Sequence, residues 1–219
     1  MQIITTGDGS HTLFSEQFDE VYHSRHGAIV ESKHVFIESG LNYFPTSEIK
    51  ILEIGFGTGL NTLLTMLEAE KQNLKIDYTT IELFPVDIDT IKALNYTQQL
   101  GYEFCYGHYH SLHLVRWNEM HELTPFFNFK KINESIFTYP FALATYQLIY
   151  FDAFAPTHQP EMWTVEVFKK MFDALVVGGI LVTYCSKVIV QKAMKEAGFV
   201  IEKIPGPPGR REMVRARKK

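Results

Sequence analysis

The sequence predicts an α/β fold: a Rossmann-like parallel sheet with helices on its faces, ended by a C-terminal antiparallel hairpin and preceded by a small N-terminal appendage. Three observations predict it. From residue 50 onward, short apolar runs alternate with segments of helical period, the pattern of βαβ units. A glycine-rich turn, Gly55 to Gly59, joins the first apolar run to the first helix. The last two apolar runs flank Pro205-Gly206-Pro207-Pro208-Gly209, a turn that reads as the tip of a hairpin.

The elements follow in order. In the appendage, residues 1–45, TTGDGSHT reads as a hairpin turning on Asp8-Gly9. Ile29, Val30, Lys33, Phe36 and Ile37 then recur at helical spacing and stop before Gly40. The main domain, residues 46–219, opens with a buried strand, Lys50 to Ile54, and the helix Leu60 to Gln72. A second strand, Lys75 to Glu82, leads to a helix from Pro85 to Leu100, with Pro85 near its first turn and Gly101 past its end. Glu103 to Tyr106 is expected as a short third strand. Residues 111–146 show no clean period and are expected to form an insertion or lid. Gln147 to Asp152 makes the fourth strand, Trp163 to Leu175 the helix behind it, and Gly179 to Tyr184 the fifth. The helix Val188 to Ala197 stops at Gly198, and Phe199 to Ile204 pairs with Arg211 to Ala216 as the hairpin.

Composition narrows the function. With 219 residues, 46% of them hydrophobic, the chain suits one domain with a real core. A formal net charge of -4 gives no general attraction for nucleic acid, so any such contact needs a local patch. Arg210 to Lys219 is the candidate, with six basic residues and one acid: +5 locally, against -9 on everything before it. From charge alone it reads equally as a solvated tail. Cys105 and Cys185 lie in apolar stretches read as strands, which predicts buried thiols in a reducing compartment rather than a disulfide. No basic segment precedes an apolar one at the N-terminus, and no apolar run is long enough for a bilayer, so a cytoplasmic protein without a membrane partner is expected. The pairs His23-x-x-His26 and His108-x-His110-x-x-His113 lack the cysteine or carboxylate partners of a zinc site, and no metal is expected.

The glycine turn points to a nucleotide. Its glycines allow a sharp turn and close approach of a ligand, and the next helix offers free N–H groups. A dinucleotide fingerprint would need a third glycine where Leu60 stands. The observed Glu53-x-Gly55-x-Gly57-x-Gly59 instead resembles the class I S-adenosylmethionine-dependent methyltransferases. The resemblance implies S-adenosylmethionine held by Glu53, Gly55, Phe56, Gly57, Thr58, Gly59 and Asn61, with Glu82 on the ribose hydroxyls. These enzymes often place an acid after the third strand to meet the adenine; the segment here reads Tyr106-Gly107-His108, which leaves His108 or a backbone group for that role. A tight turn without a ligand is the plainer alternative.

Asp152 ends the fourth strand, beside the first in this class, and is followed by Ala153-Phe154-Ala155-Pro156. Amine methyltransferases carry an acid or amide with proline and aromatic residues at this place. A carboxylate there could hold a neutral amine in line with the methyl group and help to take up its proton. Phe154 could stack on a flat substrate. Equally, Asp152 could cap the next helix, with Phe154 as core.

Longer stretches resemble one family, the methyltransferase domain of MnmC, which modifies the wobble uridine of certain tRNAs. They are DGSHTLFSEQFDEVYHSRHGAIVESKHVFIESGL (Asp8 to Leu41), ILEIGFGTGLN (Ile51 to Asn61), IELFPV (Ile81 to Val86), YFDAFAPTHQPEMWT (Tyr150 to Thr164), GGILVTYCSK (Gly178 to Lys187) and PGPPGRREM (Pro205 to Met213). The resemblance implies methylation of the 5-aminomethyl group of wobble 2-thiouridine, with Asp152 and Phe154 catalytic and Tyr22, His23, Arg25, Pro156, Arg210 and Arg211 on the substrate side. The partner would be tRNA, met by the basic C-terminus. Bifunctional members continue into a flavin-dependent oxidase domain that is not in this sequence; a separate enzyme would then supply the aminomethyl substrate. A small-molecule amine is the alternative substrate, and a nicotinamide-dependent oxidoreductase a third reading that Leu60 obstructs.

Overall fold

The computed structural model describes residues 1–219, the side chains of residues 102–104 excepted. Strands β1 (Gln2–Thr5), β2 (His11–Ser15) and β3 (Glu20–Val21) form a small antiparallel sheet. Its first turn is built on Asp8, whose carboxylate accepts from the Thr6 and Ser10 hydroxyls and from the Ser10 and Val30 amides. A Cβ on Gly27 would lie 2.6 Å from that carboxylate, so the turn and the following helix α1 (Ala28–Ser32) meet only through a glycine. Helix α1 continues into a wider π turn, Lys33–Glu38.

The main sheet holds β4 (Glu48–Ile54), β5 (Lys75–Ile81), β6 (Met120–Thr124), β7 (Phe127–Ile132), β8 (Tyr146–Phe151), β9 (Leu175–Thr183), β10 (Val200–Pro205) and β11 (Glu212–Arg217). Their order is β10-β11-β9-β8-β4-β5-β7-β6, with β7, β5, β4, β8 and β9 parallel and the rest antiparallel. This is a class I methyltransferase-like α/β sheet closed by the expected hairpin. Helix α2 (Leu60–Gln72) and the π turn cover one face; α6 (Val165–Ala174) and α7 (Val188–Glu196) cover the other. Because side chains alternate along a strand, Ile51, Leu148 and Tyr150 enter the first core while Leu52, Ile149 and Phe151 enter the second. Buried on both faces, these strands are continuously apolar, which is why they were legible as parallel.

Several expectations need correction. The segment from Glu103 to Tyr106 is not a strand; it lies in helix α5 (Tyr102–Leu114), so Cys105 is a buried helical thiol. The third strand is β7, which pairs in parallel with β5 from Ile76↔Phe127 to Ile81↔Ile132. Residues 111–146, expected as an insertion or lid, therefore supply β7 and the edge strand β6 of the main sheet. The helix expected from Pro85 to Leu100 is two short ones, α3 (Ile88–Lys92) and α4 (Tyr96–Leu100). Between them, Asn95 bonds the His11 amide and the Gly9 carbonyl, tying the N-terminal sheet to the main domain.

Candidate active site

Strand order reverses at β4, which has β5 on one side and β8 on the other. Loops leaving the carboxyl ends of neighbouring strands diverge there, and a crevice opens. It contains a cavity of about 250 Å³, walled by the loops after β4, β5, β7 and β8 and roofed by residues 18–24 of the N-terminal sheet.

The floor is the glycine loop. Gly55, Gly57 and Gly59 all have positive φ, and a Cβ on Gly55 would lie 2.6 Å from the main-chain oxygen of Asp152, so this loop passes directly against the β8 loop. Thr58 is fixed from below: Tyr109 donates to its carbonyl at 2.8 Å and Tyr96 to its hydroxyl at 3.2 Å. Gly55, Phe56, Gly57 and Thr58 line the cavity, but Glu53 and Gly59 do not. Glu53 is fully buried beneath the loop, where it accepts from Thr62 at 2.9 Å, and burial pushes its pKa up to about 8. Asn61 does face the cavity, yet its amide donates to Asp152 Oδ2 at 2.8 Å.

At the end of β5, Glu82 accepts from the Gly57 amide at 3.1 Å and the Phe84 amide at 2.8 Å. Each carboxylate oxygen has further acceptor capacity, which a pair of ribose hydroxyls would use. His108 is not at the cavity: it sits on α5, because the true third strand is β7. The loop after β7 brings Glu134 and Ser135 to the wall instead. Glu134 is the acid after the third strand, hidden in the sequence because β7 is not legible there.

Asp152 lies at the centre, half-buried, its amide bonded to the Ile54 carbonyl at 3.0 Å. Burial raises its pKa to about 7; the Asn61 hydrogen bond lowers it, the charge of Glu31 raises it and that of Arg210 lowers it. The loop behind is pinned at successive residues. Tyr184 donates to the Ala153 carbonyl at 2.9 Å, Trp163 to the Phe154 carbonyl at 2.8 Å, and the Phe154 amide donates to Gln159 at 3.2 Å. The Phe154 ring stacks on Phe18 at 4.6 Å and meets the edge of Tyr22 at 4.9 Å. One face of the ring expected to stack on substrate is thus already covered by the roof.

Of the other residues expected on the substrate side, Tyr22, His23 and Arg210 line the cavity, while Arg25, Pro156 and Arg211 stand outside it. His23 is buried and held neutral, its pKa brought down to about 4 by desolvation. Arg210 reaches the wall because Gly209 in the hairpin turn packs directly on the His26 ring. Its guanidinium lies over the Tyr184 ring at 4.5 Å and 3.5 Å from Glu31. Glu31 and Tyr184, both inside motifs of the resemblance but not singled out there, complete the wall. Six carboxylates (Glu20, Glu31, Glu82, Glu134, Asp152 and Glu161) face the cavity against one guanidinium. Such a chamber repels phosphates and favours a cationic cofactor and an amine.

Residues 114–219 match a protein family described as S-adenosyl-L-methionine-dependent methyltransferase. Over that segment the chain is similar to the S-adenosyl-L-methionine-dependent methyltransferases. Among solved structures, it resembles the crystal structure of MNMC2 from Aquifex aeolicus with a TM-score of 0.80 and 23% identity, covering 100% of this chain and 70% of that one. Curated relatives include the tRNA 5-methylaminomethyl-2-thiouridine biosynthesis bifunctional protein MnmC of Leptospira interrogans, 32% identical over 223 residues and 93% of this chain. The protein of the same description from Nitrosospira multiformis is 28% identical over 218 residues and 92% of this chain. The chain spans about a third of the length of those relatives, 33% and 34% respectively.

Proposed function

We propose that the protein transfers a methyl group from S-adenosylmethionine to the 5-aminomethyl group of a wobble uridine in tRNA. The observation that carries this reading is Asp152, fixed at the switch point beside the glycine loop inside an acidic chamber. The relatives' printed function in tRNA 5-methylaminomethyl-2-thiouridine biosynthesis supports the choice of amine and of tRNA, and a tRNA substrate fits work in the cytoplasm. Among the described residues, no helix is long and apolar enough to cross a membrane.

The residues fit the cofactor. Gly55, Gly57 and the start of α2 would receive its amino-acid part, Glu82 its ribose and Glu134 with Ser135 its adenine. Bound there, the cofactor supplies a methyl group on a positively charged sulfur, open to attack by a nitrogen lone pair. Asp152, held by Asn61, accepts an N–H of the neutral amine, aims its lone pair and takes the proton released. With a pKa near 7, Asp152 is a better proton acceptor than an ordinary aspartate. Phe18 and Tyr22 of the roof, packed on the Phe154 ring, would cover the chamber against water. Residues 1–45 then act as a cover on the methyltransferase domain, residues 46–219.

One observation favours a small-molecule amine instead. Much of the basic C-terminus is engaged within the protein: Arg215 bonds the Ser39 carbonyl and Glu202, and Lys218 bonds the Phe172 and Leu175 carbonyls. Incubation with labelled cofactor and tRNA carrying unmethylated aminomethyl uridine decides between the two. Label at the wobble uridine is expected; label in small amines with none in tRNA would contradict the proposal.

A further inference from the structure

We infer that Glu31 is a second acceptor for the substrate amine, and that together with Asp152 it selects primary over secondary amines. This rests on the amine-methylating reading above and extends it. Glu31 is 8% exposed and lines the cavity with Asp152. Its Oε2 accepts from the Ser24 amide at 2.7 Å, whereas its Oε1 is buried without a hydrogen-bond donor, with Arg210 Nε at 3.5 Å. Arg210 offsets part of the charge of this buried oxygen without using up its lone pairs, and a donor arriving in the cavity would take the remaining acceptor capacity. Both carboxylates line this one cavity of about 250 Å³.

A neutral primary amine has one lone pair and two N–H groups. When the lone pair is aimed at the methyl donor, two acceptors are needed beside it, and Asp152 and Glu31 supply them. A secondary amine has one N–H and turns a methyl group toward the other carboxylate. The chamber therefore binds the unmethylated amine best and stops after one transfer. The singly methylated amine in the relatives' printed name agrees with this selectivity.

Glu31→Gln tests the role with little change of volume. The Ser24 amide holds the side-chain oxygen, so the new amide nitrogen turns a donor toward the cavity in place of an acceptor. Glu31→Ala removes the group altogether. Short anticodon-loop RNAs carrying 5-aminomethyl or 5-methylaminomethyl uridine are titrated by calorimetry into protein saturated with S-adenosylhomocysteine. The unaltered protein is expected to prefer the primary amine on the order of tenfold or more. Both variants should lose most of that preference at unchanged S-adenosylhomocysteine affinity and should form doubly methylated product. A preference kept by both variants overturns the role of Glu31 alone. If the unaltered protein binds and methylates neither RNA, the amine reading fails and the role of Glu31 with it.

Discussion

Asp152 is a carboxylate whose surroundings oppose its ionisation. Burial is the largest influence and raises its pKa; Asn61 works against this, Glu31 with it, and Arg210 against it. In the proposed reaction the ionised form accepts from the amine, so kcat/KM should fall as pH drops through about 7. In Glu31→Gln one raising influence is gone, and that acid limb should move to lower pH. Deprotonation of the amine adds a rise common to both proteins, so the difference between their profiles reports Asp152. An acid limb that stays in place in the variant would show that Glu31 does not act on it. The sequence showed Asp152 at a strand end but could not show these neighbours. Glu31 lies 121 positions away and Arg210 reaches it through a hairpin turn packed on His26.

At the scale of elements, the FDAFAP segment is a loop held by groups from three directions. Trp163 comes from the turn before α6, Tyr184 from the end of β9, and Gln159 from within the loop. Trp163→Phe keeps the ring in the core but leaves the Phe154 carbonyl without its donor. The expected cost is about 1–3 kcal/mol of stability, read by chemical denaturation, with kcat lowered on the order of tenfold or more as the loop loosens. Unchanged kcat in a destabilised protein would mean that the loop does not need this anchor. The elements misread in the sequence have physical reasons. Phe127, Phe129 and Lys131 alternate into the core, and Lys131 disguised β7 as a surface segment. Its ammonium is in fact buried, donating to the His113 carbonyl at 2.5 Å and lying over the Trp117 ring at 4.6 Å. In α5, Cys105, Tyr109 and Leu112 are buried at helical spacing, a signal obscured by the aromatic and histidine residues between them. With β7 disguised, Glu134 at its end was disguised too. Strands buried on both faces, and the glycine loop between β4 and α2, were legible because local pattern alone specifies them.

For the molecule as a whole, charge separates chamber from surface. The chamber is acidic, the chain carries -4, and the C-terminal basic residues form β11 and its flanks rather than a loose tail. Arg215 and Lys218 serve the fold, so the exposed Arg211, Arg217 and Lys219 are the ones left to meet phosphate. Replacing these three with glutamine should weaken tRNA binding and reduce the slope of log affinity against log salt by about one for each phosphate no longer neutralised. Thermal stability should barely change, since exposed side chains contribute little to it. An unchanged salt slope would move the tRNA-facing surface elsewhere.

In the proposed reaction Asp152 acts on the amine and not on the cofactor, and Asp152→Asn tests this most directly. Asparagine keeps the shape and the bond with Asn61 but takes up no proton. Measured side by side, S-adenosylhomocysteine affinity should match that of the unaltered protein, while single-turnover methylation of aminomethyl tRNA falls by about 10²–10⁴-fold. A loss of both together would make Asp152 part of the cofactor site or of the fold; undiminished methylation would remove it from the chemistry.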